Sequence, residues 1–482
     1  MKPIIAQELE RIGALSPEPF EVTFADGETY RSRNGNAAFS LRFHNRAVEW
    51  GIAAFGHIGM CEAYFDGDLD IDGDLRAAFR AGMNSGYGST PNVLVEGRNH
   101  WHELRYSNAS YAQAKANARA HYGLGTEFYR LWLDDPLMMY TCAYWRDGTA
   151  SLEEAQVNKI EHVCRKVRLR EGESVIDMGC GFGGFMFHVA PRYRVKITGT
   201  NTTTEQVGAV ADKIARENLG GQLNVIEADF REPQGEFDKV VSIGVLEHAG
   251  RDQLEEVVKA HADALKPGGL GMLHFIGHVG RRDTEFFIRE HVFPGGWIPS
   301  LADVIVVMEA SGLEVVDIEN LRRHYALTLD VWAERFDRNW SRIQALDPAR
   351  FNERFRRIWR TYLIGCAEMF RSPKEQTHLF QITFSKGNVT PGSYPMTRDF
   401  LYRPAPQSRD SGRRRVVRSP HGLGAEPRPY LAPGENSRRD SRRGRGGAAV
   451  RAQQGDVESI SGPDPRGAAP ARHARLRSCS RG

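Results

Sequence analysis

In this 482-residue chain the clearest chemical signal is Asp177-Met178-Gly179-Cys180-Gly181-Phe182-Gly183-Gly184, which closes the apolar run Ser174-Val175-Ile176. Glycines at 179, 181 and 183 let the backbone approach a nucleoside and turn tightly into a helix. The same spacing fits a dinucleotide fingerprint, but that reading needs an acidic residue about twenty positions on to hold a ribose. The next β-rich run ends instead in Gly199-Thr200-Asn201-Thr202, so a different nucleoside cofactor is favoured. Asp229 closes a third run, where an adenine amino group could be held. Metal chemistry finds less support. The six cysteines (Cys61, Cys142, Cys164, Cys180, Cys366 and Cys479) form no CxxC pair. His274 and His278 flank Gly277 at a strand end, an unpromising frame for a metal shared with Glu247. Asp68-Leu69-Asp70-Ile71-Asp72-Gly73-Asp74 opens like a calcium loop but has Phe79 where a bidentate Glu is required. No metal is expected, and Leu69 and Ile71 are expected to point inward.

The elements that must position the glycine turn follow a regular alternation. SVIDMG, KITGTN, LNVIEAD, KVVSIGV and LGMLHFIG are β-rich runs, with helical patterns such as TTEQVGAVADKIARENL between them. That is βαβ spacing, which predicts a mainly parallel sheet covered by helices on both faces, with ligands at the carboxyl ends of its strands. Residues 20–110 mix strand-like stretches (FEVTF, AFSLRFH) with turn signals and a helical pattern, which predicts a small separate α/β domain. No apolar run reaches the length of a membrane span. The opening MKPIIAQELERIG lacks the apolar core of a secretory signal, so a cytoplasmic location is expected. The net charge of +3 conceals an asymmetry: from residue 403 onward 18 arginines face 7 acidic residues, a balance of +11, leaving −8 for residues 1–402. Rich in Arg, Gly, Pro and Ser, that tail cannot bury enough apolar surface to offset its ordering entropy, and is expected to be disordered.

Asp177, two positions before the first glycine, resembles the acidic residue of the first motif of methyltransferases. Seven blocks together resemble the cyclopropane fatty acid synthase and mycolic acid cyclopropane synthase family, in the family's order: HYGLGTEFYRLWLDDPLMMYTCAYW, VIDMGCGFGGF, GVLEHAG, LHFIGH, HVFPGGWIPS, HYALTLDVWAERF and YLIGCAEMF. The resemblance implies a class I methyltransferase fold, Rossmann-like, with helical additions over the active site and S-adenosylmethionine as methyl donor. It assigns residues 1–114 to an N-terminal lipid-associated α/β domain, 115–388 to the catalytic domain and 389–482 to the tail. Carried over residue by residue, it places Tyr140, Thr141, Asp177, Gly179, Gly181, Gly183, Asn201, Gln206 and Asp229 around the cofactor. It also implies that a bicarbonate ion serves as base, held by Cys142, Glu247, His274, Ile276 and Tyr325, with the backbone NH groups of Cys142 and Ile276 as further donors. Departures are few: Gly123 stands for an Asp, Thr141 for a Ser, and Asn201-Thr202-Thr203 for Thr-Leu-Ser.

The implied reaction moves a methyl(ene) group from the sulfonium to the double bond of an unsaturated fatty acyl chain, with closure to a cyclopropane. An isolated alkene is a weak nucleophile, so the site must hold it dry and close to the methyl. Aromatic faces could stabilise the resulting carbocation. Methyl branching is the alternative within the family, and a small amine is the alternative substrate. A lipid- or nucleic-acid-binding protein with a vestigial core is the non-enzyme alternative, and it conflicts with the complete set of site residues. Expected partners are phospholipid acyl chains at the inner face of the membrane and a second copy of the chain, with no specific nucleic acid.

Overall fold

The computed structural model describes residues 1–86, 93–232 and 234–402. Near the N-terminus, β1 (Phe20–Thr23), β2 (Thr29–Arg31), β3 (Phe39–Phe43) and β4 (Leu69–Gly73) form one sheet in the order β2-β1-β3-β4. The second sheet contains β5 (Ser174–Met178), β6 (Lys196–Asn201), β7 (Leu223–Glu227), β8 (Phe237–Ile243), β9 (Leu265–His278), β10 (Leu313–Asn320) and β11 (Thr377–Lys386), in the order β10-β11-β9-β8-β5-β6-β7. Strands β5 to β9 pair in parallel, and β11 runs antiparallel to both its neighbours. From β5 the chain builds outward through β6 and β7, then returns to place β8 on the opposite side. The order therefore reverses between β5 and β8, opening a crevice at the carboxyl ends of those strands.

All five β-rich runs read from the sequence form strands. The apolar character of β5, β8 and the second half of β9 follows from burial on both faces, whereas β7 at the sheet edge is only partly covered. Val175 packs with Val163, Phe185 and Val210 from the helices Leu152–Lys166, Gly184–Tyr193 and Thr204–Arg216. Its neighbour Ile176 points the other way, to Val257 and Val304 from Leu254–Asp263 and Leu301–Ala310. Strands β10 and β11 were not among the expected runs. In β11 nearly every residue is buried, so no period of two marks it.

The N-terminal sheet packs closely on the C-terminal part of the chain. Phe65, Leu69 and Ala77 share one hydrophobic core with Leu363, Ala367 and Phe370 of the helix Glu353–Arg371. Arg357 on that helix donates to the carbonyls of Tyr64 and Leu69 and pairs with Asp70 at 2.8 Å. Arg76 bridges Asp330 at 2.6 Å and Glu368 at 3.1 Å. The calcium-like run is β4: Leu69 is fully buried, Asp70 also meets His44, and the Asp74 carboxylate caps the helix Leu75–Ser85 through the Arg76 amide. The expected boundary at 114/115 falls inside the helix Tyr111–Tyr122.

The ordered chain also runs past the expected limit of 388. Tyr394 and Leu401 are buried, Arg398 pairs with Asp317, and Arg168 donates to the Ser393 carbonyl at 2.6 Å. The expectation of disorder beyond residue 402 lies outside the described residues. Among the described residues no helix is long and apolar enough to cross a membrane.

Candidate active site

The glycine turn leaves β5 at the crevice. The amides of Gly179 and Cys180 both donate to the Thr200 carbonyl at the end of β6, at 3.0 and 2.9 Å, which pins the turn to the neighbouring strand. Gly179 has φ +81, and a Cβ there would stand 2.2 Å from a Val245 methyl, so the position admits no side chain. Gly181, at φ +54, differs: a Cβ would meet no protein atom within 4 Å and would point into open space. That space is a cavity lined by Tyr140, Thr141, Asp177, Gly179, Gly181, Asn201, Gln206 and Asp229. Eight of the nine expected cofactor residues thus come together. The ninth, Gly183, does not line the cavity; it begins the helix Gly184–Tyr193 with φ +80, against the Phe187 ring and Val210.

Several of these side chains brace the walls. Asn201 donates to the Gly181 carbonyl and to Gln206 Oε1 and accepts from the Thr203 amide, which locks the turn to the helix after β6. Asp229 is held by the Arg231 guanidinium through two bonds of 2.7 and 2.8 Å, which fixes its orientation at the end of β7. Burial pushes the Asp177 carboxyl up to about 7, while the ammonium of Lys159 draws it down. Lys159 is itself fully buried and donates to Thr141 Oγ1 at 2.7 Å. One turn earlier on the same helix, Gln156 donates to the carbonyls of Met139 and Thr141. Together they hold the segment carrying Tyr140, Thr141 and Cys142.

A second, larger cavity of about 630 Å³ is mostly apolar and is lined by all five expected catalytic residues, Cys142, Glu247, His274, Ile276 and Tyr325. Strand β8 delivers Glu247 just past its end, β9 carries His274 and Ile276, and the helix Arg322–Arg338 carries Tyr325. Glu247 Oε1 accepts from the Ile276 amide at 2.7 Å. That corrects the expectation of a free Ile276 donor, since a carboxylate already occupies it. The other oxygen, Oε2, is buried without a protein partner among the described residues, as is His274 Nε2. Gln381 Nε2 donates to His274 Nδ1 at 3.0 Å, which leaves the ring proton on Nε2. Burial keeps His274 neutral by holding its pKa well below the usual imidazole range. Burial also lifts Glu247 to about 7. The Cys142 thiol is pushed up by burial and donates to the Ala143 carbonyl, so it stays protonated.

The two cavities share Tyr122, Tyr140, Thr141, Gly244 and His248 in their linings, so they meet there. Around this junction the phenols interlock: Tyr140 donates to Tyr362 at 2.9 Å, and Tyr122 meets His248 Nε2 at 2.9 Å. Phe293 stacks 6.4 Å from Tyr140 and edge-on to Tyr362 at 5.7 Å. Tyr122, Tyr362, Gln381 and Lys159 were not assigned roles from sequence. The first two lie inside quoted blocks, but contacts between residues so distant in the chain leave no local pattern.

The sequence profile of the mycolic acid cyclopropane synthetase family matches residues 109–382, and one for a domain of unknown function matches 10–89. A probable fatty acid methyltransferase of Pseudomonas putida is 36% identical over 71% of this chain and 86% of its own. The cyclopropane-fatty-acyl-phospholipid synthase of Escherichia coli K12 is 31% identical over 73% of this chain and 90% of its own. Among solved structures, the mycolic acid cyclopropane synthase CmaA1 complexed with SAH and CTAB is 32% identical, with a TM-score of 0.52 over 56% of this chain and 98% of its own. The cyclopropane synthase MmaA2 from Mycobacterium tuberculosis superposes with a TM-score of 0.53 at 29% identity, over 56% of this chain and 98% of its own. With the strand order, the glycine turn and the five residues of the larger cavity already in place, these matches make the chain a member of the mycolic acid cyclopropane synthetase family, an S-adenosylmethionine-dependent methyltransferase of class I fold.

Proposed function

We propose that this chain transfers a methyl(ene) group from S-adenosylmethionine to the double bond of a phospholipid-bound unsaturated fatty acyl chain and closes a cyclopropane, with bicarbonate as general base. The observation that carries the reading is the meeting of the two cavities at Tyr140, beside a buried donor and a buried acceptor that have no protein partner among the described residues. The cofactor supplies an electrophilic methyl on a sulfonium, and bicarbonate, when bound, supplies the base. An oxyacid anion carrying one proton fits the pair left open: His274 Nε2 would donate to it, and Glu247 Oε2 would accept a hydrogen bond from its hydroxyl. Tyr325 lines the same cavity and adds a hydroxyl.

The remaining residues do positional and electrostatic work. The apolar lining excludes water from the alkene. The faces of Tyr140, Phe293, Tyr325 and Tyr362 offer π density to a positive carbon. Burial holds the Tyr140, Tyr325 and Tyr362 phenols well above their usual pKa, so none is a phenolate that would be alkylated. Methyl transfer without ring closure is the second reading, favoured by the likeness to a probable fatty acid methyltransferase.

Mass spectrometry of membrane fatty acids from cells with and without the expressed chain tests this reading. The expected product is one methylene heavier than its monounsaturated precursor, with the double bond gone and a ring opened by acid. A methylene or unsaturated methyl branch, or a saturated one where a separate reductase supplies hydride, would favour the second reading, and no change in the acyl chains would contradict both.

A further inference from the structure

The helix Val93–Tyr106 is built with its apolar side outward. On a 3.6-residue period Val93, Gly97, Trp101 and Leu104 share one face. Its large side chains are 82% (Val93), 55% (Trp101) and 72% (Leu104) exposed. The opposite face, which carries Val95, Asn99 and His102, is turned to the body of the protein. There His102 Nδ1 lies 2.7 Å from Glu290, and Asn99 accepts from Arg289 at 2.9 Å. At its edge Arg98 sits 4.5 Å over the Phe286 ring and pairs with Glu62. A helix on a purely soluble surface places its apolar stripe inward; this one reverses the arrangement. Trp50, 60% exposed, adds a second outward ring on the helix Arg46–Phe55, whose Phe55 lies 6.0 Å under Arg98.

Two further observations say what covers the stripe. Arg105 borders it, its guanidinium 5.1 Å over the Trp101 ring, so a cation and an indole stand together as they do at a headgroup boundary. The same helix also contributes Val95 and Glu96 to the lining of the larger cavity, so the element that carries the stripe also walls the site read as taking the acyl chain.

We propose that the outward face of Val93–Tyr106 docks the chain on a phospholipid bilayer and sets the acyl cavity against the lipid that fills it. The proposal rests on the acyl-chain reading of that cavity. Trp101 takes the headgroup level, Val93 and Leu104 enter the acyl boundary, and Arg105 meets lipid phosphate.

Sedimentation with sucrose-loaded vesicles of phosphatidylethanolamine and phosphatidylglycerol tests it, comparing the full chain with W101E/L104E. Partition onto vesicles is expected to fall by about tenfold or more, with activity on detergent-dispersed unsaturated phospholipid within about twofold of the parent. Unchanged partition of a folded variant would overturn the proposal. Loss of a dimer by light scattering with vesicle binding intact would overturn it too, making the face a contact between copies. Should the double variant unfold, L104Q must show an intermediate loss of partition. If the acyl-chain reading fails, neither vesicles nor detergent give product, while vesicle partition still depends on Trp101 and Leu104.

Discussion

The smaller cavity takes its floor from strand ends and one glycine turn, with Asp177, Gly179 and Gly181 after β5, Thr200 and Asn201 on β6, and Asp229 after β7. The larger cavity has a different construction: Met60, Ile71 and Phe79 come from the N-terminal sheet and its helices, while His274, Tyr325 and Tyr362 come from three elements far along the chain. Backbone shape dominates the first and side-chain volume the second. A nucleoside is recognised along a rigid edge, where one added methyl is excluded. A hydrocarbon chain is accommodated by packing, which tolerates changes of volume at modest cost.

The sharpest break between the two sides is expected at Gly181. Gly181→Val fills open cavity rather than protein, so S-adenosylmethionine binding should weaken by about a hundredfold or more while the fold survives the roughly 1–2 kcal/mol strain of a left-handed β-branched residue. Calorimetry of a folded variant checks this, and unchanged affinity would remove the cofactor from this cavity. The acyl side should respond more gently. Phe79→Ala enlarges the larger cavity where its ring faces Gly365, so the preference between a shorter and a longer acyl chain should move by about three- to tenfold, with cofactor affinity unchanged. Competition between two chain lengths, read as a product ratio, measures it; an altered cofactor affinity instead would erase the distinction drawn between the cavities.

What could be read in advance follows the same division. Strands β5, β8 and β9 announced themselves because burial on both faces gives apolar runs between turn signals, and the residues at the ends of β5, β6 and β7 did line one cavity. Gly183 stands outside the cavity lining because its positive φ serves a helix start and the Phe187 contact, which spacing cannot distinguish from a ligand contact. How the N-terminal sheet packs on the rest of the chain was not legible, because Arg76 and Arg357 resemble surface charges until their partners, more than 250 residues away in one case and nearly 290 in the other, are seen. Lys159 was invisible for a similar reason. On an amphipathic helix a lysine reads as solvated, and only the fold shows that this one is enclosed and bonded to Thr141.

The central claim is that Glu247 and His274 hold the base, and the most direct measurement is turnover in bicarbonate-depleted buffer followed by bicarbonate addition, across pH. Burial raises the Glu247 carboxyl from its ordinary 4.5 to about 7. As the acid it therefore adds stability that is fully present below its ordinary range and lost as pH rises through about 7, whereas accepting a hydrogen bond at Oε2 needs the ionised form. Bicarbonate-stimulated turnover is expected to rise with pH through that region, and Glu247→Gln is expected to lose both the stimulation and the limb, with turnover down by about a hundredfold or more and S-adenosylmethionine still bound. A parent enzyme indifferent to bicarbonate after depletion, and to borate as a competing anion, would contradict the account.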